Sequence, residues 1–394
     1  MLAAVLLAAL PAQEPAGIAL DVAVALTMEE RQVVHNARIL VRDGRIEQVG
    51  RRAEVALPDG YTLYDFHDSY AWPGAVDLHS HVHSGGFGDT NDMVHPDNPE
   101  LRVLDTIVPG NGDFRDALAS GVTLVNSIPG SGTNISGAGA LVRMIPTDVV
   151  DEAVMRSPGS VKVAQGYNPE RDGGDLGESR MGMWWMLRWF LARGAEAAEG
   201  DLYDHPEIAH VGGIFQQRYP FLVHTAGGRD VYGTVRMFAL EAGVPVIVSH
   251  GSFSGYVVGE AVARVGTPLN VGPRNFDFNF NAMARIQGLV EGYESTGNTD
   301  ISVQTDSPVI PQEDYLLQAA MAERLGASTW TALEAINVKP ARQILVEDQV
   351  GRLVPGLQAD IVISAGQPLD PRHPVQLVLI EGAVVYDIRD GQRF

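Results

Sequence analysis

The chain has 394 residues, 45% of them hydrophobic, enough for a large core and more than one domain. Its formal net charge of −21 leaves no basic stripe to meet phosphates, which excludes nucleic acid and disfavours anionic membranes as partners. With no cysteine it has no disulfide, no thiolate nucleophile and no thiolate-held metal.

The amino-terminal run MLAAVLLAALPA is apolar but too short to span a bilayer. Residues 1–16 are read as a signal segment, although no Lys or Arg precedes the apolar run. A periplasmic or secreted location is therefore expected, with a cytoplasmic one as the alternative, and no transmembrane span. From 17 to 72 short β-branched runs are broken by turns. Ile39-Leu40-Val41 and Ile46 flank Asp43-Gly44, a strong hairpin signal. Residues 346–394 repeat the pattern, with Glu381-Gly382 as a turn. These two pieces, 17–72 and 346–394, are expected to complete one small β-sandwich domain from both chain ends.

The middle, 73–345, alternates strand-like and helix-like stretches. Val122–Val125, Val161–Ala164, Phe221–Val223, Val244–Ser249 and Ile301–Gln304 read as strands, Met183–Ala192 and Tyr315–Arg324 as helices. Such alternation predicts an α/β architecture, and the length fits a (β/α)8 TIM-like barrel. About seven strands can be placed; the stretch between 140 and 220 is ambiguous. Trp184, Trp185 and Trp189 read as helix packing.

In a barrel of this kind the chemistry sits at the carboxyl ends of the strands. There the sequence places His79 and His81 in GAVDLHSHVH, Lys162 in VKVAQG, His224 ending FLVH, His250 ending VPVIVSH, and Asp306 ending ISVQTD. Alternate residues of a strand share a face, so His79 and His81 point the same way. A single strand-end histidine is ordinarily a polar residue drifting into a loop. Four histidines and an aspartate at four strand mouths demand more, because buried imidazoles need partners and repel one another when protonated. A divalent cation binding the neutral rings resolves this, and imidazole with carboxylate suits zinc. His83 is read as a loop residue beside the site, and the Gly-rich SIPGSGTNISGAGA, 127–140, as a mobile active-site loop lacking the lysine of a P-loop.

PGAVDLHSHVH, the separated His224 and His250, TDSPVIP around Asp306 and the tail VGRLVPGLQADIVI resemble the amidohydrolase superfamily, and most closely its imidazolonepropionase-like branch. The resemblance covers essentially the whole chain. It implies a metal-dependent hydrolase that cleaves C–N bonds with a metal-activated water. His79, His81 and Asp306 would hold a first metal. His224 and His250 would hold a second or orient substrate, and Lys162, as a carbamate, would bridge. Asp306 would be the general base. The implied cofactor is one or two divalent ions, zinc foremost. A small-molecule substrate is the expected partner, and homo-oligomerisation is compatible with the sequence. Substrate contacts would come from Tyr167, Asn168 and Arg274. Tyr167 stands where relatives of this branch carry Glu, and His224-Thr225-Ala226 where they carry His-Ala-His. A catalytically silent binding protein, or a lactone or phosphoester hydrolase on the same scaffold, are the alternatives these departures leave open. No Gly-x-Ser-x-Gly elbow and no G-x-G-x-x-G helix start is present, which argues against serine hydrolysis and dinucleotide redox chemistry.

Overall fold

The computed structural model describes residues 16–85, 88–170, 176–279 and 285–390. The signal segment expected over 1–16 lies almost wholly outside them. No helix of the described residues is long and apolar enough to cross a membrane.

Four strands open the fold: β1 Gly17–Leu26, β2 Val33–Arg42, β3 Arg45–Arg51 and β4 Tyr61–Pro73. They are followed by β5 Ala75–Ser80, β6 Val122–Ser127, β7 Ile135–Ala138, β8 Ala140–Arg143, β9 Val154–Arg156 and β10 Val161–Ala164. Next come β11 Phe221–His224, β12 Val246–His250, β13 Leu269–Val271, β14 Phe276–Asn279, β15 Arg285–Gly288 and β16 Ile301–Val303. The last three are β17 Ile361–Ser364, β18 Val375–Ile380 and β19 Ala383–Asp387.

Both chain ends join one seven-stranded sheet, ordered β19-β18-β17-β4-β1-β2-β3. Its two tight hairpins use the turn residues that the sequence offered. Asp43 and Gly44 sit at φ 50° and 75°, Glu381 and Gly382 at 47° and 76°, as a two-residue turn matching strand twist requires. Hydrogen bonding among the described residues gathers these strands into a single sheet, where a two-sheet sandwich was expected. β4 pairs in parallel with β1 and antiparallel with β17, opposing Trp72 to Val362. Trp72 is fully buried, a burial worth about 2–3 kcal/mol by area alone.

The middle of the chain forms a four-stranded sheet, β5-β6-β8-β9, and a six-stranded one, β16-β13-β12-β11-β10-β7. β5 and β6 run parallel, as do β10, β11, β12, β13 and β16. The two sheets meet where Asp306 N donates to His79 O (3.0 Å) and His81 N to Ser307 O (2.8 Å). On the other side no ladder closes β6 onto β10 among the described residues. Instead Asn126 Nδ2 donates to Ser160 Oγ (2.9 Å) and Gly139 N to Ser160 O (2.9 Å). β8 and β9, at the start of the stretch left ambiguous between 140 and 220, continue an antiparallel insertion begun by β7, so a regular closed barrel is not what the ladders describe.

Two expectations are corrected. Segment 127–140, read as a mobile active-site loop, is nearly all buried, and β7 within it pairs with β10. The tryptophans also divide. Trp184 packs inward against Gly233, whereas Trp185 and Trp189 lie on the solvent face of helix Arg180–Ala198, 58% and 45% exposed and stacked at 6.4 Å. Four residues along a helix return to the same face, so their spacing carried them outward together.

Candidate metal centre

β5 delivers the first ligands. Alternation puts Asp77, His79 and His81 on one side of the strand and its end. Asp77 is fully buried and faces the end of β16, accepting from Thr305 Oγ1 (2.6 Å), Gln312 Nε2 (3.0 Å) and His79 N (3.1 Å). Burial pushes its carboxyl up to about 6, against the pull of those donors. Asp77 thereby fixes the segment carrying His79 against the turn carrying Asp306. It is a site residue that sequence reasoning missed, although its position two before His79 was the signal.

His79, His81 and Asp306 bring one ligand atom each within 4.8 Å of one another. Asp306 Oδ1 lies 3.1 Å from His81 Nε2 and 3.3 Å from His79 Nε2. His250 packs on His79 at 4.6 Å between ring centroids, and His224 on His250 at 4.3 Å. Lys162, fully buried, reaches the same cluster: its Nζ is 3.1 Å from His79 Nε2 and donates to Ser131 Oγ at 3.0 Å. Ser131 Oγ is in turn 3.0 Å from His224 Nδ1, and Ser249 Oγ 2.6 Å from His79 Nδ1. The six residues expected at the centre therefore stand together. Ser131 and Ser249 were not foreseen; Ser249 precedes His250 in the strand, and Ser131 comes from the segment read as a mobile loop.

The hydrogen bonds dictate the tautomers. His81 Nδ1 lies 2.8 Å from the Ile128 carbonyl, and His250 Nδ1 2.8 Å from the Gly272 carbonyl. A carbonyl only accepts, so in each ring Nδ1 carries the hydrogen and neutral Nε2 keeps its lone pair. His250 Nε2 is buried with no hydrogen-bond partner. His81 Nε2 faces an Asp306 oxygen, one acceptor against another. Only a proton or a cation between them makes that contact favourable, and outer carbonyls that orient imidazoles this way are what metal sites use.

Charge points the same way. Burial, then the charges of Lys162 and His250, holds the His79 imidazole well below its usual range. Burial, then His250 and Lys162, does so for His224, and burial lowers His250 to about 4. Burial lowers Lys162 to about 7 against the attraction of Asp306. For Asp306 burial works upward, but His79 and His81 overcome it and hold the carboxyl far below the usual carboxylate range. The cluster thus sets one carboxylate beside three rings, His79, His224 and His250, whose burial resists protonation. His250 and Asp306 adopt φ of 65° and 53°, costs of order 1–3 kcal/mol that recur at functional sites.

The remaining candidates lie farther out. Tyr167 and Asn168 are exposed in the turn after β10, and Tyr167 meets Phe253 at 6.0 Å between ring centroids. Arg274 is paired with Asp277 at 2.9 Å and stands over the Phe253 ring at 5.1 Å. His83 is buried outside the ligand group, its Nδ1 3.3 Å from Ser127 Oγ.

No protein-family model matches the chain. It is similar to "Amidohydrolase tasK" of Hapsidospora irregularis, 25% identical over 391 residues that take in 89% of this chain and 40% of that protein. The chain thus spans about two-fifths of the length of that curated relative. Among solved structures, an amidohydrolase from Thermotoga maritima MSB8 superposes with a TM-score of 0.84 at 26% identity, covering 94% of this chain and 100% of that one. A prolidase complexed with N-methylphosphonate-L-proline shares the fold at a TM-score of 0.61 and 18% identity, with 94% and 100% covered.

Proposed function

Starting from the amidohydrolase superfamily, to which the chain belongs, we propose that it is a metal-dependent hydrolase cleaving the C–N bond of an amide or cyclic amide. The observation that carries this reading is the opposition of His81 Nε2 and Asp306 Oδ1 at 3.1 Å beside the buried rings of His79, His224 and His250. Its donor set fits a divalent cation, with zinc favoured by nitrogen and oxygen ligands. His79, His81 and Asp306 would hold one ion. His224, His250 and Lys162, the last as a carbamate, would serve a second. The neutral amine that carbamate formation needs is available, since Lys162 titrates near 7.

When bound, such an ion lowers the pKa of a water and polarises the scissile carbonyl. The chain's own residues do the rest. Asp306 takes the proton of the attacking water on Oδ2, since Oδ1 faces the His79 and His81 rings, and returns it to the departing nitrogen. Ser249 and the Ile128 and Gly272 carbonyls keep the rings oriented, so little reorganisation is left for the reaction itself.

Chelation should abolish hydrolysis of an N-acyl amino acid and dipeptide panel, and zinc should restore it. Asp306→Asn should lower turnover by roughly 10²- to 10⁴-fold with an unchanged circular dichroism spectrum. Full turnover in the variant, or indifference to chelation, sinks the reading. A protein that binds zinc yet hydrolyses nothing would instead favour the silent-homologue alternative.

A further inference from the structure

Four consecutive strands of the larger parallel sheet send their carboxyl-end loops to one place. The turn after β10 brings Tyr167, that after β11 brings Gly227, that after β12 brings Phe253, and that after β13 brings Arg274. The loops touch: a Cβ added to Gly227 would lie 3.6 Å from the Phe253 carbonyl oxygen. Phe253 follows His250 by three residues, so its Cα lies within about 11 Å of that histidine's. These turns and the histidine cluster share the carboxyl-end side of the sheet, since His224 and His250 end β11 and β12.

Tyr167 and Phe253 carry two costs that folding does not explain. Both are in the left-handed region, at φ 55° and 52°, where a bulky residue is strained. Both leave large rings in water, 65% and 54% exposed. The rings nevertheless meet edge to face, 6.0 Å apart at 62°, an arrangement favoured by their quadrupoles.

The Phe253 side of this pair is bolted down. Arg274 stands over the Phe253 ring at 5.1 Å, donates from Nε to the Phe276 carbonyl and forms an ion pair with Asp277 Oδ1, both at 2.9 Å. Asp277, only 3% exposed, also accepts from Ser254 N at 2.7 Å. One buried carboxylate therefore holds both the arginine and the backbone next to Phe253. With its charge met by Asp277, Arg274 is better placed to steady a ring than to receive a substrate anion.

We propose that Tyr167 and Phe253 form an aromatic jaw at the mouth of the metal centre that grips an apolar or aryl group flanking the scissile bond, with Arg274 and Asp277 as its positioning residues. This inference rests on the hydrolase reading above and names the substrate class for that site: amides with a bulky apolar acyl or side-chain group.

The test uses the zinc-loaded full chain and two metal-directed probes, acetohydroxamate and phenylacetohydroxamate, measured by calorimetry. The jaw predicts tighter binding of the aryl probe by about tenfold or more, the order expected for burying a phenyl ring between aromatic faces. In Phe253→Gly that ratio should fall to near one while the thermal midpoint stays at or above that of the parent, because glycine relieves the positive φ. In Arg274→Gln the ratio should fall part of the way. Equal affinity for the two probes in the parent overturns the jaw and leaves the hydrolase reading standing. A lowered midpoint with an intact ratio in Phe253→Gly makes the ring structural and also overturns it. Failure of both probes to bind removes the metal centre, and with it both proposals.

Discussion

At the scale of single residues, the candidate centre is held in part by buried groups outside the ligand set. Thr305 donates to Asp77 at 2.6 Å, and Asp77 in turn accepts from the His79 backbone amide. Thr305→Val keeps the shape but withdraws a donor from a buried carboxylate, which should cost about 1–3 kcal/mol in a denaturant melt. The same change should weaken zinc by roughly 10- to 100-fold in a competitive titration. Unaltered zinc affinity would mean that Asp77 serves the fold alone. His79, His81, His224, His250 and Asp306 were legible in the sequence because histidine is rare and each closes an apolar strand. Ser131 and Ser249 were not, since serine is common at strand ends and its role depends on a partner far along the chain. Arg274 was read as a substrate contact, and its pairing was not foreseen, because Asp277 is three residues away in a stretch with no regular period.

At the scale of elements, the decisive feature is that β4 runs into β5 with only Gly74 between them. A Cβ there would lie 2.1 Å from Thr123 Oγ1 and 2.6 Å from its Cγ2, so the glycine is required by close approach of β6. Gly74→Ala must push β5 off β6, and an overpacked core costs about 1–3 kcal/mol. A lower thermal midpoint together with weaker zinc binding is expected, because His79 and His81 ride on β5. A midpoint within a degree of the parent would show that the junction yields freely. The strands were easy to read where apolar runs closed on histidine. The insertion β7 to β9 was not, because β7 sits in a Ser- and Gly-rich run that matches loops and is placed only by pairing with β10, while β8 and β9 are short strands placed by pairing with β6 and with each other.

For the whole molecule, both chain ends meet in one sheet, and the turn VGRLVPGLQAD ends there. Asp360 is fully buried and accepts from Glu381 N at 2.8 Å. Burial raises its carboxyl to about 6 from 3.8. The folded chain thus keeps a proton that the unfolded chain releases near 3.8, so the stability this proton confers is present below pH 4 and lost as pH rises through 6. The loss amounts to at most about 3 kcal/mol. Asp360→Asn still offers an oxygen to Glu381 N and does not titrate; its stability relative to the parent should climb between pH 4 and 6 and then level off. A flat difference across that window would show that the acid is already relieved. The shared sheet was readable from its two hairpin turns, but its strand order was not, since pairing β4 with β17 joins residues some 290 positions apart. That pairing sets a schedule for synthesis. Until residues 361–364 leave the ribosome, β4 must wait with one flank of amides and carbonyls uncovered, an invitation to stray pairing. The strand that carries the first histidines, β5, follows β4 across Gly74 alone, so the candidate centre of a nascent chain waits on residues 361–364 as well.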